Sequence, residues 1–357
     1  MKVVGRQLFW MLAAALVLAG CGGSKPVESK PTSAPASTML PGGWVEDEVT
    51  FQADGGLTIH ATYRHVHDAP AGPAAVLISE SGNTDRNGDN AVAGPVGNMR
   101  QLAEYLSGKG IATLRYDKVG TGKTGLGPYA LHPRDVGSAV YTLGARAAAA
   151  FLAEQPGTDK SRISGYGLGE GTIHALALAA APAPAIHSLG LFQPLPGRYL
   201  DIITARVRIS IAADVKAGAK TQQQADDVLN SWLAAVEQIR TKGTVPAKLP
   251  EGLNAIVNPG NVQAVVESDA IDPLALAAKV PAGTPVLLTC SDSDSQANCD
   301  AEQPLIAALG HAALTVVKLK GVSHVLRDDP TDNVGNYAKQ DPLSPQLLTA
   351  LDGFVGK

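Results

Sequence analysis

The chain has 357 residues, of which 33 are acidic and 29 basic, so that its formal net charge is −4. This mildly acidic balance, with no cluster of basic residues, predicts that nucleic acid is not a partner. Aromatic residues make up only 4% of the chain, which argues against carbohydrate stacking. The length suits one large α/β domain with an insertion, or two domains.

The first 20 residues have the pattern of a secretion signal. Lys2 and Arg6 precede an apolar run over residues 8–19, which is too short to span a bilayer comfortably. The run ends in Leu-Ala-Gly-Cys, which resembles the lipobox of bacterial lipoproteins, whose cysteine is acylated and becomes the mature N-terminus. We therefore expect a signal peptide over residues 1–20 and a lipid anchor on Cys21. The chain would then lie on the extracytoplasmic face of the bacterial membrane.

Residues 21–43 are rich in Ser, Pro, Thr and Lys and have almost no apolar content, which predicts a flexible tether. No later apolar segment is long enough to cross a membrane. Cys290 and Cys299 are the cysteines that remain once Cys21 carries the anchor. In an oxidising compartment we expect them to form a disulfide, with a stabilisation of about 2–3 kcal/mol for so short a loop.

From residue 44 onward the apolar pattern predicts an α/β fold. Residues 45–63 alternate around Asp54-Gly55-Gly56, as in an antiparallel hairpin. Short apolar runs then alternate with segments of helical period, which indicates a mostly parallel sheet covered by helices on both faces. The predicted strands are 74–78, 111–116, 162–166, 188–193, 285–289 and 314–319, and the predicted helices lie near 99–106, 135–154, 171–181 and 346–355.

Residues 198–275 interrupt this rhythm, because they read as helices over about 201–213 and 222–239. We predict that they form a helical cap inserted over the carboxyl edge of the sheet. The core would then consist of residues 44–197 and 276–357.

Two glycine-rich segments resemble cofactor sites without meeting their requirements. The Gly-Thr-Gly-Lys-Thr string at 120–124 has Asp117 where a phosphate-binding loop needs glycine. The segment 165–169 lacks the acidic residue that a dinucleotide site has about 20 positions later. The spacings of His, Cys and Asp also fit neither a zinc nor a calcium site. We therefore expect no cofactor and no metal.

Acyl-transfer hydrolases of α/β type carry a nucleophile, an acid and a histidine in that chain order. The histidine candidate is His324, which follows the last predicted strand. The acid candidate is Asp294, just beyond the strand at 285–289, with Asp292 as the competing choice. A packed histidine and solvated acidic turns are the alternative interpretations of these residues.

The segment 162–172 matches the strand–turn–helix elbow that carries the nucleophile, usually G-x-S-x-G. With Gly167 and Gly171 as the flanking residues, Gly169 stands at the nucleophile position. The other register places Gly167 there and leaves the strand too short. Both registers put glycine where the attacking side chain should be.

These segments together resemble one bacterial group of α/β hydrolases, the serine-aminopeptidase/esterase-like hydrolases. The group's motifs are S-G-S-G-x-x-D-R-[DN]-G, L-R-Y-D-K-R-G-x-G-x-S, G-H-S-E-G-G and a closing G-x-N-H. Departures from them include Gly169 for Ser, Leu168 for His and Val119 for Arg. The resemblance extends from about residue 74 to the C-terminus, through segments 78–88, 114–118, 169–171 and 321–324 and through Asp272-Pro273.

The resemblance implies the α/β-hydrolase fold, with a mostly parallel sheet flanked by helices. It also implies an oxyanion hole formed by backbone N–H groups near Ser81 and at Glu170. Its pocket, under the cap, would take a small-molecule, acyl or peptide ligand.

Glycine at the elbow leaves three hypotheses. The first is a hydrolase-derived binding or accessory lipoprotein without covalent catalysis. The second is an active ester or amide hydrolase, in which His324 and Asp294 activate water or a displaced hydroxyl replaces the nucleophile. The third is a purely structural envelope protein. The candidate hydroxyls for the second hypothesis are those of Ser164, Thr172 and Ser81.

Overall fold

The computed structural model describes residues 37–250, 252–294 and 296–355. The predicted signal peptide, Cys21 and the tether up to residue 36 lie outside the described residues. Within the described ranges, no helix combines the length and apolar character needed to span a bilayer. The described chain forms two compact units. The core unit holds the residues up to Gly197 and from Asp272 onward, and the helical unit is Arg198–Ile271.

The core unit is built on one sheet, in which the described residues contribute nine strands in the order β1-β2-β3-β5-β4-β6-β7-β8-β9. The first three strands and β5 pair antiparallel, whereas all pairs from β5 to β9 are parallel. The predicted mostly parallel sheet with an N-terminal hairpin is confirmed. The strands are β1 Ser37–Met39, β2 Trp44–Ala53, β3 Leu57–Val66, β4 Gly72–Ile78, β5 Ala112–Tyr116, β6 Thr158–Leu168, β7 Ser188–Phe192, β8 Pro285–Ser291 and β9 Ala313–Leu319.

Helices cover both faces of this sheet. Successive strand side chains point to opposite faces, so Val76 and Leu77 of β4 belong to two different apolar clusters. Val76 packs in the cluster that includes the helices at Ser138–Ala153 and Gly171–Ala179. Leu77 packs in the cluster that includes the helices at Asn98–Ser107 and Pro345–Asp352. The core-unit helices are α1 Asn98–Ser107, α2 Ser138–Ala153, α3 Gly171–Ala179, α7 Pro273–Ala277, α8 Gln303–Ala308, α9 Val334–Tyr337 and α10 Pro345–Asp352.

The end of the predicted tether differs from the expectation. Ser37–Met39 forms β1 and pairs antiparallel with the start of β2, with Met39 opposite Val45. An edge strand needs only backbone donors and acceptors, so a low apolar content does not prevent the pairing. The tether prediction is therefore wrong for these residues.

The helical unit has a core of its own. Its helices are α4 Tyr199–Lys216, α5 Gln222–Lys242 and α6 Val262–Ala270. Trp232 of α5 is fully buried in its apolar cluster. The buried carboxylate of Asp269 binds the guanidinium groups of Arg198 and Arg240, each at 2.8 Å. Two cations thus compensate this buried carboxylate.

Candidate functional site

Four residues with site chemistry follow four parallel strands of the core unit. Glu80 comes after β4, Gly169 after β6, Asp294 after β8 and His324 after β9. The carboxyl ends of parallel strands meet at one edge of the sheet, which is where α/β proteins place their ligands. The topology therefore brings together residues that are up to 244 positions apart.

The turn between β6 and α3 has the geometry of a tight elbow. Gly169 lies at its apex with a φ of +53°, in the left-handed region that favours glycine. A Cβ on Gly167 would lie 2.4 Å from backbone atoms of Gly171, and one on Gly171 would lie 2.3 Å from the carbonyl oxygen of Ile78. Only glycine fits at these two flanking positions, which corresponds to the register with Gly169 at the nucleophile position.

The acid and histidine candidates are in direct contact. Asp294 Oδ2 lies 2.7 Å from His324 Nδ1, and both side chains are almost fully buried. The other carboxyl oxygen of Asp294 accepts the N–H groups of Gln296 and Ala297, at 2.7 and 3.0 Å. Asp292, the competing acid, instead accepts the N–H of Gly321 at 2.8 Å.

The predicted disulfide between Cys290 and Cys299 is present. Cys290 belongs to β8, and the pair encloses the loop that carries Asp294. The crosslink thus ties both ends of this loop to the end of the strand.

The sequence patterns did not single out Glu80, yet its carboxylate occupies the centre of the site. Glu80 Oε2 lies 2.6 Å from His324 Nε2. A Cβ built on Gly169 would lie only 1.6 Å from the same oxygen. The Glu80 side chain, which is 18% exposed, therefore fills the space of the missing nucleophile.

The second oxygen of Glu80 takes the donors expected for the oxyanion hole. Oε1 accepts the backbone N–H of Ser81 at 2.6 Å and that of Glu170 at 3.4 Å. These are the two N–H groups that the family resemblance implies, and they converge on one oxygen atom. The Glu80 carboxylate thus lies where the resemblance would place both the serine hydroxyl and the substrate oxyanion.

Both members of the Glu80–His324 pair are charged. Burial alone would raise the pKa of Glu80, but the His324 charge and hydrogen bonds from His324 and Ser81 outweigh it and lower the pKa to about 2. Burial would lower the pKa of His324, but the Asp294 and Glu80 carboxylates hold it well above its usual value. These opposite directions of the two pKa shifts favour an ion pair between Glu80 and His324.

The motif residues around Glu80 hold its loop in place. Arg86 binds Asp117 at 2.8 Å and so links the segments after β4 and β5. The buried ammonium of Lys118 donates to the backbone carbonyl of Glu80 and lies 5.0 Å from the centre of the Tyr141 ring. These contacts assign a supporting role to two of the segments that resemble the hydrolase motifs.

Two of the three hydroxyls considered as displaced nucleophiles have other partners. Ser164 Oγ lies within β6, 2.8 Å from Ser188 Oγ. Thr172 Oγ1 donates to the carbonyl of Gly169 at 2.6 Å. Ser81 contributes its N–H to Glu80, whose carboxylate occupies His324 Nε2. Within the described ranges, no group of three His, Cys, Asp or Glu side chains is placed to hold a metal ion.

Solved structures share this fold at low sequence identity. DcsB, in complex with its substrate analogue, matches with a TM-score of 0.55 at 16% identity, over 87% of this chain and 98% of that chain. Est1E from Butyrivibrio proteoclasticus, solved with ferulic acid bound, matches with a TM-score of 0.51 at 15% identity, over 82% of this chain and 96% of that chain. The α/β hydrolase GrgF from Penicillium sp. sh18 matches at 0.50 and 17%, over 78% and 91%. No family model and no curated protein matches this sequence. At these identities the likeness establishes the fold alone.

Proposed function

We propose that this chain, which has the α/β-hydrolase fold, is a hydrolase-derived binding or accessory protein that does not transfer acyl groups through a serine. The observation that carries the proposal is the placement of Glu80. Its carboxylate fills the space at Gly169 and accepts the N–H groups of Ser81 and Glu170. An acyl-transfer transition state needs these donors for its own oxyanion.

The same contact disfavours activation of water by His324. A general base needs a free ring nitrogen within reach of the proton that it abstracts. Nε2 of His324 is held at 2.6 Å by Glu80, and Nδ1 by Asp294 at 2.7 Å. Hydrolysis by water activation would first require Glu80 to leave. His324 and the two N–H groups converge on one carboxylate, that of Glu80. This arrangement favours a ligand site over a purely structural role.

A fluorophosphonate probe, which labels activated serines, tests this proposal. We expect no labelling of the purified full-length protein and none of Ser188→Ala, the matched control. The proposal is wrong if the protein is labelled and the label disappears in Ser81→Ala or Ser164→Ala. Both variants remove only a hydroxyl group and should therefore fold. Thermal unfolding verifies this.

We also propose that the chain is a lipid-anchored protein of the extracytoplasmic face of a bacterial membrane. The Leu-Ala-Gly-Cys sequence that ends at Cys21 supports this location, and so does the disulfide, which is typical of oxidising compartments. Metabolic labelling with an alkyne palmitate should mark the expressed protein. The label should disappear in Cys21→Ser and persist in Ser24→Ala. Equal labelling of both variants would exclude the anchor.

A further inference from the structure

A second cavity of the core unit lies near the amino ends of β6 and β7, whereas Glu80 and Gly169 follow the carboxyl ends of their strands. Its volume is about 80 Å³. One water molecule needs about 10–15 Å³ of such volume, so the cavity has room for a group of about five heavy atoms. None of its lining residues belongs to the site around Glu80.

Two buried serine hydroxyls line this cavity. Ser164 of β6 and Ser188 of β7 lie directly opposite each other in the sheet, and their Oγ atoms are 2.8 Å apart. The two residues are only 8% and 6% exposed. One hydrogen bond between two hydroxyls uses one of their two protons, so the second is left for another acceptor.

The hydroxyl of Tyr166 extends this polar wall. Tyr166 follows Ser164 by two positions in β6, so both side chains point to the same face of the sheet. Burial raises the pKa of Tyr166, and hydrogen bonding with Ser188 and Ser164 opposes this rise. Three hydroxyl groups thus meet at one wall of the cavity, and such a wall suits a ligand with several oxygen atoms.

Basic side chains line the same cavity. They are Lys109 before β5, Arg162 of β6 and His187 before β7. No carboxylate of the described residues belongs to the lining. Lysine and arginine are charged at neutral pH, and the N–H fork of a guanidinium group matches the oxygens of a phosphate. The lining therefore combines positive charge with neutral hydrogen-bond donors.

The carboxylates nearest to these cations lie outside the lining. Asp352 binds Lys109 at 2.7 Å, and the two side chains are 51% and 37% exposed, respectively. Asp159, which is partly exposed, interacts with Arg162 and His187 through its charge. Ion pairs that are open to water contribute little free energy, so a doubly charged ligand in the cavity competes with them.

We propose that this cavity binds a phosphate group, held by Lys109 and Arg162 and by the hydroxyls of Ser164 and Ser188. A phosphate group has five heavy atoms, which agrees with the volume, and it carries almost two negative charges at pH 7. A carboxylate has three heavy atoms and one charge, so it would fill less of the space and balance fewer of the cations. The proposal goes beyond the proposed function, because it uses no residue of the site around Glu80.

Isothermal titration calorimetry of the full-length protein in detergent, with inorganic phosphate at pH 7 and low salt, tests this site. We expect binding by the wild type and a loss of affinity of about tenfold or more in Arg162→Gln, which removes one charge–phosphate contact. Arg146→Gln is the matched control, because Arg146 is an exposed residue of α2 and should not affect binding. Thermal unfolding verifies that both variants are folded.

Ser164→Ala separates a built site from general surface charge. The variant keeps every basic side chain and loses one buried donor, so we expect it to bind phosphate several-fold more weakly. Affinity equal to that of the wild type would mean that exposed cations alone attract the anion, which would overturn the proposal. No heat of binding at millimolar phosphate would also overturn it. An equal affinity of the wild type and Arg162→Gln, or an equal loss in Arg162→Gln and Arg146→Gln, would do the same.

Soluble phosphates and phospholipid headgroups share this chemistry, and dioctanoyl phosphatidic acid distinguishes them. Tighter binding of this lipid than of inorganic phosphate, again weakened in Arg162→Gln, assigns the cavity to a lipid headgroup. Equal or weaker binding of the lipid assigns it to soluble phosphate. The serine chemistry that the fluorophosphonate probe tests is independent of both results.

Discussion

Glu80 and Gly169 have complementary sizes. The Glu80 carboxylate lies where residue 169 would carry its side chain, and a Cβ there would be 1.6 Å from Oε2. In the motifs of the hydrolase group that this chain resembles, the positions hold glycine and serine, respectively. This chain therefore has the larger residue at the first position and the smaller at the second. The Glu80 carboxylate lies where it does because residue 169 has no Cβ.

The first prediction concerns the restoration of a serine. Gly169→Ser alone should give no esterase activity, because the new side chain would collide with the Glu80 carboxylate. The double variant Glu80→Gly/Gly169→Ser frees the space and both N–H donors, so it should hydrolyse p-nitrophenyl acetate and react with a fluorophosphonate. Comparison of the initial rates of the two variants checks this.

The matched control for this experiment is Glu80→Gly, which has the open site without a nucleophile and should remain inactive. Esterase activity in Gly169→Ser alone would mean that Glu80 moves away freely. Inactivity of a folded double variant would mean that Asp294 and His324 are not poised for serine catalysis.

The second prediction concerns pH. The pKa of His324 is raised in the folded protein. The charged ring therefore stabilises the fold fully below the pKa of the unfolded chain, about 6.5. This stabilisation is lost as the pH rises through the pKa of the folded protein. The pKa of Glu80 is lowered from 4.5 to about 2, so its contribution is present above pH 4.5 and is lost as the pH falls toward 2. The pair should therefore stabilise most between about pH 4.5 and 6.5.

Urea unfolding of Glu80→Gln measures this effect. Loss of one partner of a buried pair costs about 3 kcal/mol, so the variant should be less stable by this amount near pH 5.5. The difference should shrink toward pH 3 and above the folded pKa of His324. Glu104→Gln, at an exposed position, should follow the wild type. A difference that does not vary with pH would contradict the charged pair.

The third prediction concerns Glu302, a fully buried carboxyl group whose two oxygens have no hydrogen-bond partner among the described residues. Burial and the nearby charge of Asp294 raise its pKa to about 9. The group is thus protonated in the folded protein, and stability falls by about 1.4 kcal/mol per pH unit between its unfolded value and pH 9.

Glu302→Gln has nearly the same shape and does not titrate. Its free energy of unfolding, relative to the wild type, should therefore increase steadily between pH 5 and pH 8. Unfolding measured by circular dichroism at several pH values checks this. A constant offset would show that Glu302 does not exchange a proton on folding.

The fourth prediction concerns the disulfide that encloses the Asp294 loop. The double variant Cys290→Ser/Cys299→Ser should lose about 2–3 kcal/mol of stability, because the unfolded chain gains the freedom of the open loop. Dithiothreitol should lower the melting temperature of the wild type and leave that of the variant unchanged. An equal response of both proteins to the reductant would contradict a stabilising crosslink.

Much of the architecture follows from local sequence patterns. The continuous apolar run at residues 74–78 predicts a strand that is buried on both faces, and the same holds for the strands that follow it. This signal is contained within a few neighbouring residues, so the sequence alone shows it. The site was predictable only in part. Asp294 and His324 stand out because they follow strands in a known order, and the structure brings them into contact. Glu80 does not stand out in the sequence, because an acidic residue in a loop is most often only solvated.

A signal for Glu80 existed in the motif itself. The segment Ser79-Glu80-Ser81-Gly82 departs from S-G-S-G at its second position, just as residue 169 departs from the elbow pattern. Each departure taken alone indicates only a lost feature. Their relationship is a distance between loops on neighbouring strands, 89 positions apart, and no local pattern records it.

Residue order by itself thus determined the alternation of strands and helices, the cysteine pair and the absence of a serine at the elbow, because these depend on neighbours a few positions away. Only the tertiary structure decided which side chain fills the space beside Gly169. The direction of the Glu80 side chain depends on the packing of β4 beside β6 and on the charge of His324, which follows β9. Electrostatic and steric complementarity act through space, and the folded sheet brings those groups within 3 Å of each other.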